Sequence, residues 1–271
     1  MKKYNRFRKA YKAAMEHNRK ERLTFYTYMI LRALVILTMV AQFFNHNYEN
    51  VFLCFLTLFL LMIPNLIEMR FHVDLPNTLE IIVLLFIFSA EILGEIQAYY
   101  ITFPFWDTML HTINGFLAAA IGFSLVDILN RNEKISFHLS PFFVSMVAFC
   151  FSMTIGVLWE FFEFGMDMLF HFDMQKDTVV NLISSVTLDP LGGNHTVIID
   201  SISKVSVNGM DLGINGYLDI GIIDTMKDLI VNFIGAVVFS AIGYIYVKNR
   251  GKNPIANQFI VKVLDADKQS Q

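Results

Sequence analysis

Charge and cysteine are both scarce in this sequence. Charged residues make up 17% of the 271 residues, whereas hydrophobic residues make up 55%. A soluble domain of this length usually carries about 25% charged residues. The apolar residues instead gather in runs of about 18 residues or more, long enough to cross a bilayer core of roughly 30 Å. These proportions exclude an ordinary soluble enzyme and predict an all-α, polytopic membrane helix bundle.

The two cysteines, Cys54 and Cys150, both lie inside apolar runs. We predict no disulfide, because the two runs place them at different depths, and we interpret both as small buried hydrophobic side chains. No cleavable signal peptide is predicted either, since the basic leader is long and Arg32 interrupts the apolar run that follows it. That first apolar run is therefore expected to remain as a membrane helix.

Basic residues are concentrated at the start of the chain. Nine of the 21 Lys and Arg residues fall within residues 1–23. Tyr4, Phe7 and Tyr11 recur there at helical spacing, with basic residues on the opposite face. Such a leader is either a helix on an anionic membrane surface or a solvated tail. Both alternatives place it in the cytoplasm.

Six apolar segments are predicted to span the membrane, and Pro64 should kink the second. The segments are residues 25–44, 51–68, 79–97, 106–129, 142–164 and 220–247. Basic residues occur in every second loop, and these loops belong inside. The basic loop residues are Arg70, Arg131, Lys134, Lys248, Arg250 and Lys252. We therefore predict a multi-pass protein of the cell membrane with both termini, including the tail at 248–271, in the cytoplasm.

The one long loop, residues 165–219, is predicted to be external. Two runs of β-forming residues, 183–188 and 196–199, flank a turn at 189–194. A small strand-containing cap is therefore expected between the fifth and sixth helices.

Ionisable residues inside membrane segments are costly and usually functional. Four predicted helices carry them in pairs spaced three or four residues apart, so each pair should share one helix face. The pairs are Glu91 and Glu95, Asp107 and His111, Glu160 and Glu163, and Asp224 and Asp228, followed by Asn232 and Gly235. The predicted topology places all four pairs near the outer surface. Clustered carboxylates repel one another unless protons, pairing or a cation offset their charge, so the pattern predicts a functional site for which a divalent metal cation is one candidate cofactor.

A structural interpretation competes with this one. A single acid near a helix end is often a solvated interface residue, which applies best to Glu91, Glu163 and Asp224. Arg32 and Asp127 are expected to be such interface residues near the inner surface. The whole cluster can also serve as a polar network that holds helices together.

Three stretches resemble the YjdF-type family of bacterial membrane proteins, namely residues 106–115, 158–163 and 224–235. A weaker similarity connects the chain to the VanZ-like proteins, which are linked to glycopeptide antibiotic resistance. They share an Asp-x-x-x-His helix, a later Glu, and a final Asp before Asn-x-x-Gly. The long loop and Glu160-x-x-Glu163 depart from their pattern. These resemblances imply membrane location and the same site residues, but no reaction.

The leading hypothesis is a cation-dependent site near the outer leaflet that acts on or binds an envelope lipid or lipid-linked intermediate. The expected metal ligands or acid/base groups are Asp107, His111, Glu160 and Asp228. Substrate contacts or support for these groups are expected from Asn232, Glu163, Asp224 and Glu95. Gly235 is expected to let a neighbouring helix approach closely. The alternatives are a proton- or cation-coupled transporter and a membrane scaffold without chemistry. No nucleic acid partner is expected.

Overall fold

The computed structural model describes residues 2–71, 73–130, 139–249 and 253–263, with side chains from Glu21 onward. The predicted stripe of the leader and the loop residues Arg131, Lys134, Arg250 and Lys252 therefore lie outside the described part. Within it, five helices are long and apolar enough to cross a membrane. They are Glu21–Phe44, Tyr48–Arg70, Trp106–Leu129, Pro141–Phe170 and Ile222–Lys248. The predicted helical membrane bundle is confirmed.

The chain divides into two compact units. The first comprises Met1–Thr154 and Val231–Gln271, and the second comprises Ile155–Ile230. Two long helices, α7 (Pro141–Phe170) and α8 (Ile222–Lys248), contribute residues to both units.

The first predicted span lies within α1 (Lys2–Phe44), and the second is divided into α2 (Tyr48–Leu60) and α3 (Ile63–Phe71). Pro64 lies in the first turn of α3, directly after the break. Proline has no N–H, and its ring clashes with the preceding helical turn. The predicted kink is thus confirmed as a break between two helices.

The third predicted span is not a uniform α-helix. It begins as α4 (Asn77–Phe88) and continues as a π-helix over Ser89–Ile96. The short helix α5 (Tyr99–Thr102) follows it. Hydrogen bonds in a π-helix join residues five apart, so one turn contains more residues than in an α-helix. The shared face predicted for Glu91 and Glu95 assumed α-helical spacing, whereas this stretch is a π-helix, and the prediction for the pair stays a prediction. Glu91 is half-buried and Glu95 is exposed.

Two hydrophobic clusters hold the first unit together. Leu31, Cys54, Leu84 and Ile92 join α1, α2, α4 and the π-helix. The second cluster joins α6 (Trp106–Asn130), α7, α8 and a C-terminal segment, through Ala119, Phe123, Val144, Ala148, Phe239, Tyr246 and Ile260. Both cysteines are free, as predicted, but only Cys54 is buried. Cys150 is exposed on α7, so its interpretation as a buried side chain was wrong.

Short antiparallel strand pairs fill the loop of the second unit. The two predicted β runs form β3 (Ile183–Ser185) and β4 (Val197–Ile199), and these strands pair with each other. Further pairs join β2 (Val179–Val180) to β7 (Tyr217–Leu218) and β5 (Ser206–Val207) to β6 (Met210–Asp211). In the first unit, β1 (Val73–Asp74) pairs with β8 (Lys262–Val263). Helix α7 extends to Phe170, beyond its predicted end at residue 164.

Asp219 joins the end of this loop to the start of α8. Its Oδ1 accepts the Thr178 N–H at 2.6 Å, and its Oδ2 accepts the Ile223 N–H at 2.7 Å. Burial acts to raise the pKa of Asp219, but the backbone N–H donors outweigh burial and lower it overall. The carboxylate is therefore stabilised in the ionised form that accepts both hydrogen bonds.

Candidate functional site

Trp106 fixes the start of α6, the helix that carries the predicted Asp107–His111 pair. Its indole Nε1 donates to the carbonyl of Ser89 at 3.3 Å, and Ser89 is the first residue of the π-helix. The Trp106 ring also meets Tyr99 edge to face, with 4.9 Å between centroids. The first turn of α6 is therefore held on two sides immediately before Asp107.

Asp107 and His111 face each other on α6. The His111 Nε2 lies 3.5 Å from the Asp107 Oδ1. His111 is 7% exposed, whereas Asp107 is half-buried. The spacing of four residues brings the two side chains together as an α-helix should. A carboxylate beside an imidazole can orient the ring and can also share a metal with it.

One turn further along α6, a polar junction connects three helices within the first unit. The Asn114 Nδ2 donates to the Asn232 Oδ1 at 3.2 Å, and the Asn232 Nδ2 donates to the Ser152 carbonyl at 3.4 Å. The Ser152 hydroxyl in turn donates to the Gly115 carbonyl at 2.7 Å. Asn232 is fully buried. Its observed contacts are interhelical, so a role in orienting a ligand remains a prediction.

Two glycines allow α6 and α8 to approach closely at this junction. A Cβ added at Gly115 would lie 2.1 Å from the backbone oxygen of Asn232, and one added at Gly235 would lie 2.1 Å from the backbone oxygen of Thr112. No side chain fits at either position without a shift of backbone. The close approach predicted at Gly235 is confirmed.

The second unit holds the remaining predicted residues of α7 and α8. Glu160 is 4% exposed and Asp228 is 3% exposed, which is rare for carboxylates. Glu163 is also buried, and its Oε1 accepts the Trp159 indole N–H at 2.8 Å. Asp224 has a different role, since its Oδ2 accepts the Lys176 N–H at 2.7 Å and so binds the loop.

The two residues expected at the inner interface behave differently from each other. Asp127 is only 6% exposed, so the prediction of a solvated interface residue was wrong. Arg32 is half-buried, and its guanidinium carbon lies 4.0 Å from the centroid of the Tyr28 ring. A cation over an aromatic face is stabilised by the ring quadrupole.

A second polar region in the first unit was not predicted at all. A cavity of about 820 Å³ lies among the middle of α1, the first two turns of α3 and the beginning of α4. Arg32, Glu68 and Glu80 line it. These residues come from separate segments and form no spaced pair, so helical periodicity could not indicate that they meet.

Sequence reasoning also missed the hydrogen-bonding roles of Asn114, Ser152 and the two tryptophans. Asn and Ser inside apolar runs are a known signal of interhelical hydrogen bonds. Asn114 and Ser152 carry that signal, whereas the indole contacts of Trp106 and Trp159 depend on tertiary placement.

Residues 27–249 match a family described as a predicted membrane protein, DUF2238. The chain belongs to the DUF2238 family. The matched region contains α6, the loop at 165–219 and the whole of α8, so the DUF2238 assignment covers every predicted site residue. It supports membrane location, whereas the finer YjdF-type and VanZ-like resemblances are not confirmed. No curated protein and no solved structure matches the chain.

Proposed function

We propose that this DUF2238 protein binds a divalent cation near the outer leaflet, and that the loaded site binds or acts on an envelope lipid or lipid-linked intermediate. The proposed ligands are Asp107, His111, Glu160 and Asp228. The Asp107–His111 pair carries this proposal, because it places an imidazole nitrogen and a carboxylate oxygen side by side in an apolar span.

The chemistry of these side chains suits a metal. Imidazole nitrogen and carboxylate oxygen are the donors with which proteins hold Zn²⁺ and similar cations. Buried carboxylates such as Glu160 and Asp228 are stable in a membrane when a partner, protons or a cation offset their charge. A bound cation would polarise a phosphoryl oxygen of a lipid-linked substrate.

The register of α6 and α8 supports the inclusion of Asp228. The Asn114–Asn232 hydrogen bond fixes which residues of the two helices face each other. His111 lies one turn before Asn114, and Asp228 lies one turn before Asn232 on the same continuous helix. We therefore infer that the two turns that precede the junction supply one set of ligands.

Divalent cations should stabilise the wild type, since a ligand that binds only the folded state raises its melting temperature. A cation at 100 times its dissociation constant stabilises by about 2.7 kcal/mol. We expect His111→Ala and Asp228→Asn to lose this gain. The measurement is a thermal melt of purified protein with and without Zn²⁺ or Mn²⁺, beside metal analysis of the same samples.

His195→Ala is the matched control for this experiment. His195 also lies beside an aspartate, with its Nδ1 3.3 Å from the Asp189 Oδ2, but the histidine is exposed in the loop. This variant should keep the full response. If the site variants and the control responded to cations equally, the proposed metal site would be refuted.

The orientation predicted from the loop charges is part of the proposal. Reporter fusions after residues 47, 101 and 195 should report an external position, and fusions after residues 72, 133 and 255 a cytoplasmic one. These positions are expected because loops that carry Lys and Arg stay on the cytoplasmic side of the membrane. An external fusion that reports the cytoplasm would contradict both the six-span topology and a site at the outer leaflet.

One observation favours transport as a second candidate function. The cavity at the beginning of α4 and the Asp107–His111 pair at the beginning of α6 are two separate polar regions in the first unit. A proton- or cation-coupled transporter needs polar groups at more than one depth. Proton or cation flux into liposomes that stops with His111→Ala would favour transport over chemistry on a lipid, whereas a scaffold would show neither flux nor a cation response.

A further inference from the structure

We propose that the cavity beside Arg32 binds the headgroup of an aminophospholipid, a lipid that carries one phosphate and one primary ammonium. The cavity of about 820 Å³ belongs entirely to the first unit. Ligand sites in proteins usually measure about 300–1,000 Å³. This site shares no residue with the proposed cation site, so each proposal can be tested and refuted independently of the other.

The charges that line the cavity select a zwitterion with a cationic end. Among the described residues that line the cavity, four carboxylates, those of Glu21, Glu68, Asp74 and Glu80, accompany one guanidinium, that of Arg32. An anionic lipid would meet net repulsion from this lining. A headgroup with both signs can place its ammonium among the carboxylates and its phosphate against Arg32, whose planar donors match phosphate oxygens.

Hydrogen bonds hold the walls of the cavity in place. The Glu68 Oε1 accepts the Leu75 N–H at 2.8 Å, which fixes this carboxylate between α3 and α4. The Asn77 Nδ2 donates to the buried Thr24 hydroxyl at 3.2 Å and ties the start of α4 to α1. The site is therefore built before a ligand enters, which reduces the entropic cost of binding.

The cavity has a side that faces the membrane. Phe25 and Met29 line it, and they are 59% and 49% exposed on the candidate span Glu21–Phe44. Large apolar side chains exposed on a membrane span contact lipid chains. A headgroup in the cavity can thus keep its acyl chains in the bilayer, which favours a lipid over a soluble amine as the occupant.

Primary and quaternary amines should differ at this site. A primary ammonium has three N–H donors for carboxylate oxygens, whereas a trimethylammonium has none. We therefore expect dihexanoyl phosphatidylethanolamine to raise the melting temperature of delipidated full-length protein with saturation. The phosphatidylcholine and phosphatidylglycerol analogues at equal concentration should bind at least roughly tenfold more weakly, and free phosphoethanolamine should be weaker than the lipid.

Variants of the lining give the decisive comparison. Glu80→Gln, Glu68→Gln and Arg32→Met should each weaken the phosphatidylethanolamine response by roughly tenfold or more. Glu49→Gln and Arg22→Met alter exposed charges outside the cavity and should leave it unchanged. His111→Ala should also leave it unchanged, since that residue belongs to the other site. Equal responses to the three lipids, or unaltered binding by all the lining variants, would overturn the proposal, and a stronger response to free phosphoethanolamine would overturn the lipid as its source.

Discussion

Gly115→Ala should destabilise the protein by about 3 kcal/mol, because the new Cβ would lie 2.1 Å from the backbone oxygen of Asn232. Alanine favours an isolated helix over glycine by about 1 kcal/mol, so helix propensity acts in the opposite direction. The clash is with backbone on α8, which cannot rotate away as a side chain can. Gly235→Ala should behave alike, since its Cβ would lie as close to the backbone of Thr112.

Gly165→Ala is the matched control for this pair. Gly165 also lies in a long helix, α7, but an added Cβ there would have nothing within 4 Å. We expect this variant to melt at or slightly above the wild-type temperature in detergent. If Gly115→Ala and Gly165→Ala had the same melting temperature, the close contact between α6 and α8 at Gly115 would be contradicted.

Asn232→Leu should cost about 2 kcal/mol, the second largest effect on stability that we expect. Leucine has the same number and branching of side-chain heavy atoms but cannot accept from Asn114 or donate to the Ser152 carbonyl. Hydrogen bonds between membrane helices contribute roughly 0.6–1.7 kcal/mol each. The loss should appear as a lower melting temperature with no change in helix content by circular dichroism.

A double-mutant cycle with Asn114→Leu tests whether the loss comes from this contact. The two substitutions should be less than additive, because they remove the same hydrogen bond. Thr154→Val serves as the control, since the Thr154 hydroxyl donates only within its own helix, to the Cys150 carbonyl at 2.9 Å. Additive losses from Asn114→Leu and Asn232→Leu would show that the two side chains do not stabilise each other.

Features that depend on local sequence were predicted well. Apolar run length indicated the long helices, and the break at Pro64 follows from proline's missing donor. The two β runs around a turn-forming stretch predicted strands in the loop, and these strands are β3 and β4. In the site, the contact between Asp107 and His111 follows directly from α-helical spacing.

Features that depend on tertiary packing were not predictable in this way. Apolar composition does not distinguish lipid-facing from protein-facing positions, so Cys150 was wrongly placed inside. Asp127 was wrongly placed at the solvent because its burial depends on neighbouring segments. The π-helix was missed because it differs from an α-helix by the length of one turn, not by composition. The cavity is formed by residues distant in sequence, among them Arg32, Glu68 and Glu80.

The segment formed by α4 and the π-helix has a consequence for how the protein enters the membrane during synthesis. It carries Glu80, Glu91 and Glu95 within a stretch that is barely long enough to span a bilayer. These acids lie toward the ends of the segment, where each opposes insertion by the translocon by less than the roughly 2.5–3.5 kcal/mol that applies at the centre of a span, and their costs add. Such a segment partitions poorly alone, but α1, which packs against α4, is synthesised first and can receive it. Insertion of this third segment is thus coupled to assembly of the bundle, and the order of helices along the chain becomes part of how the protein is made.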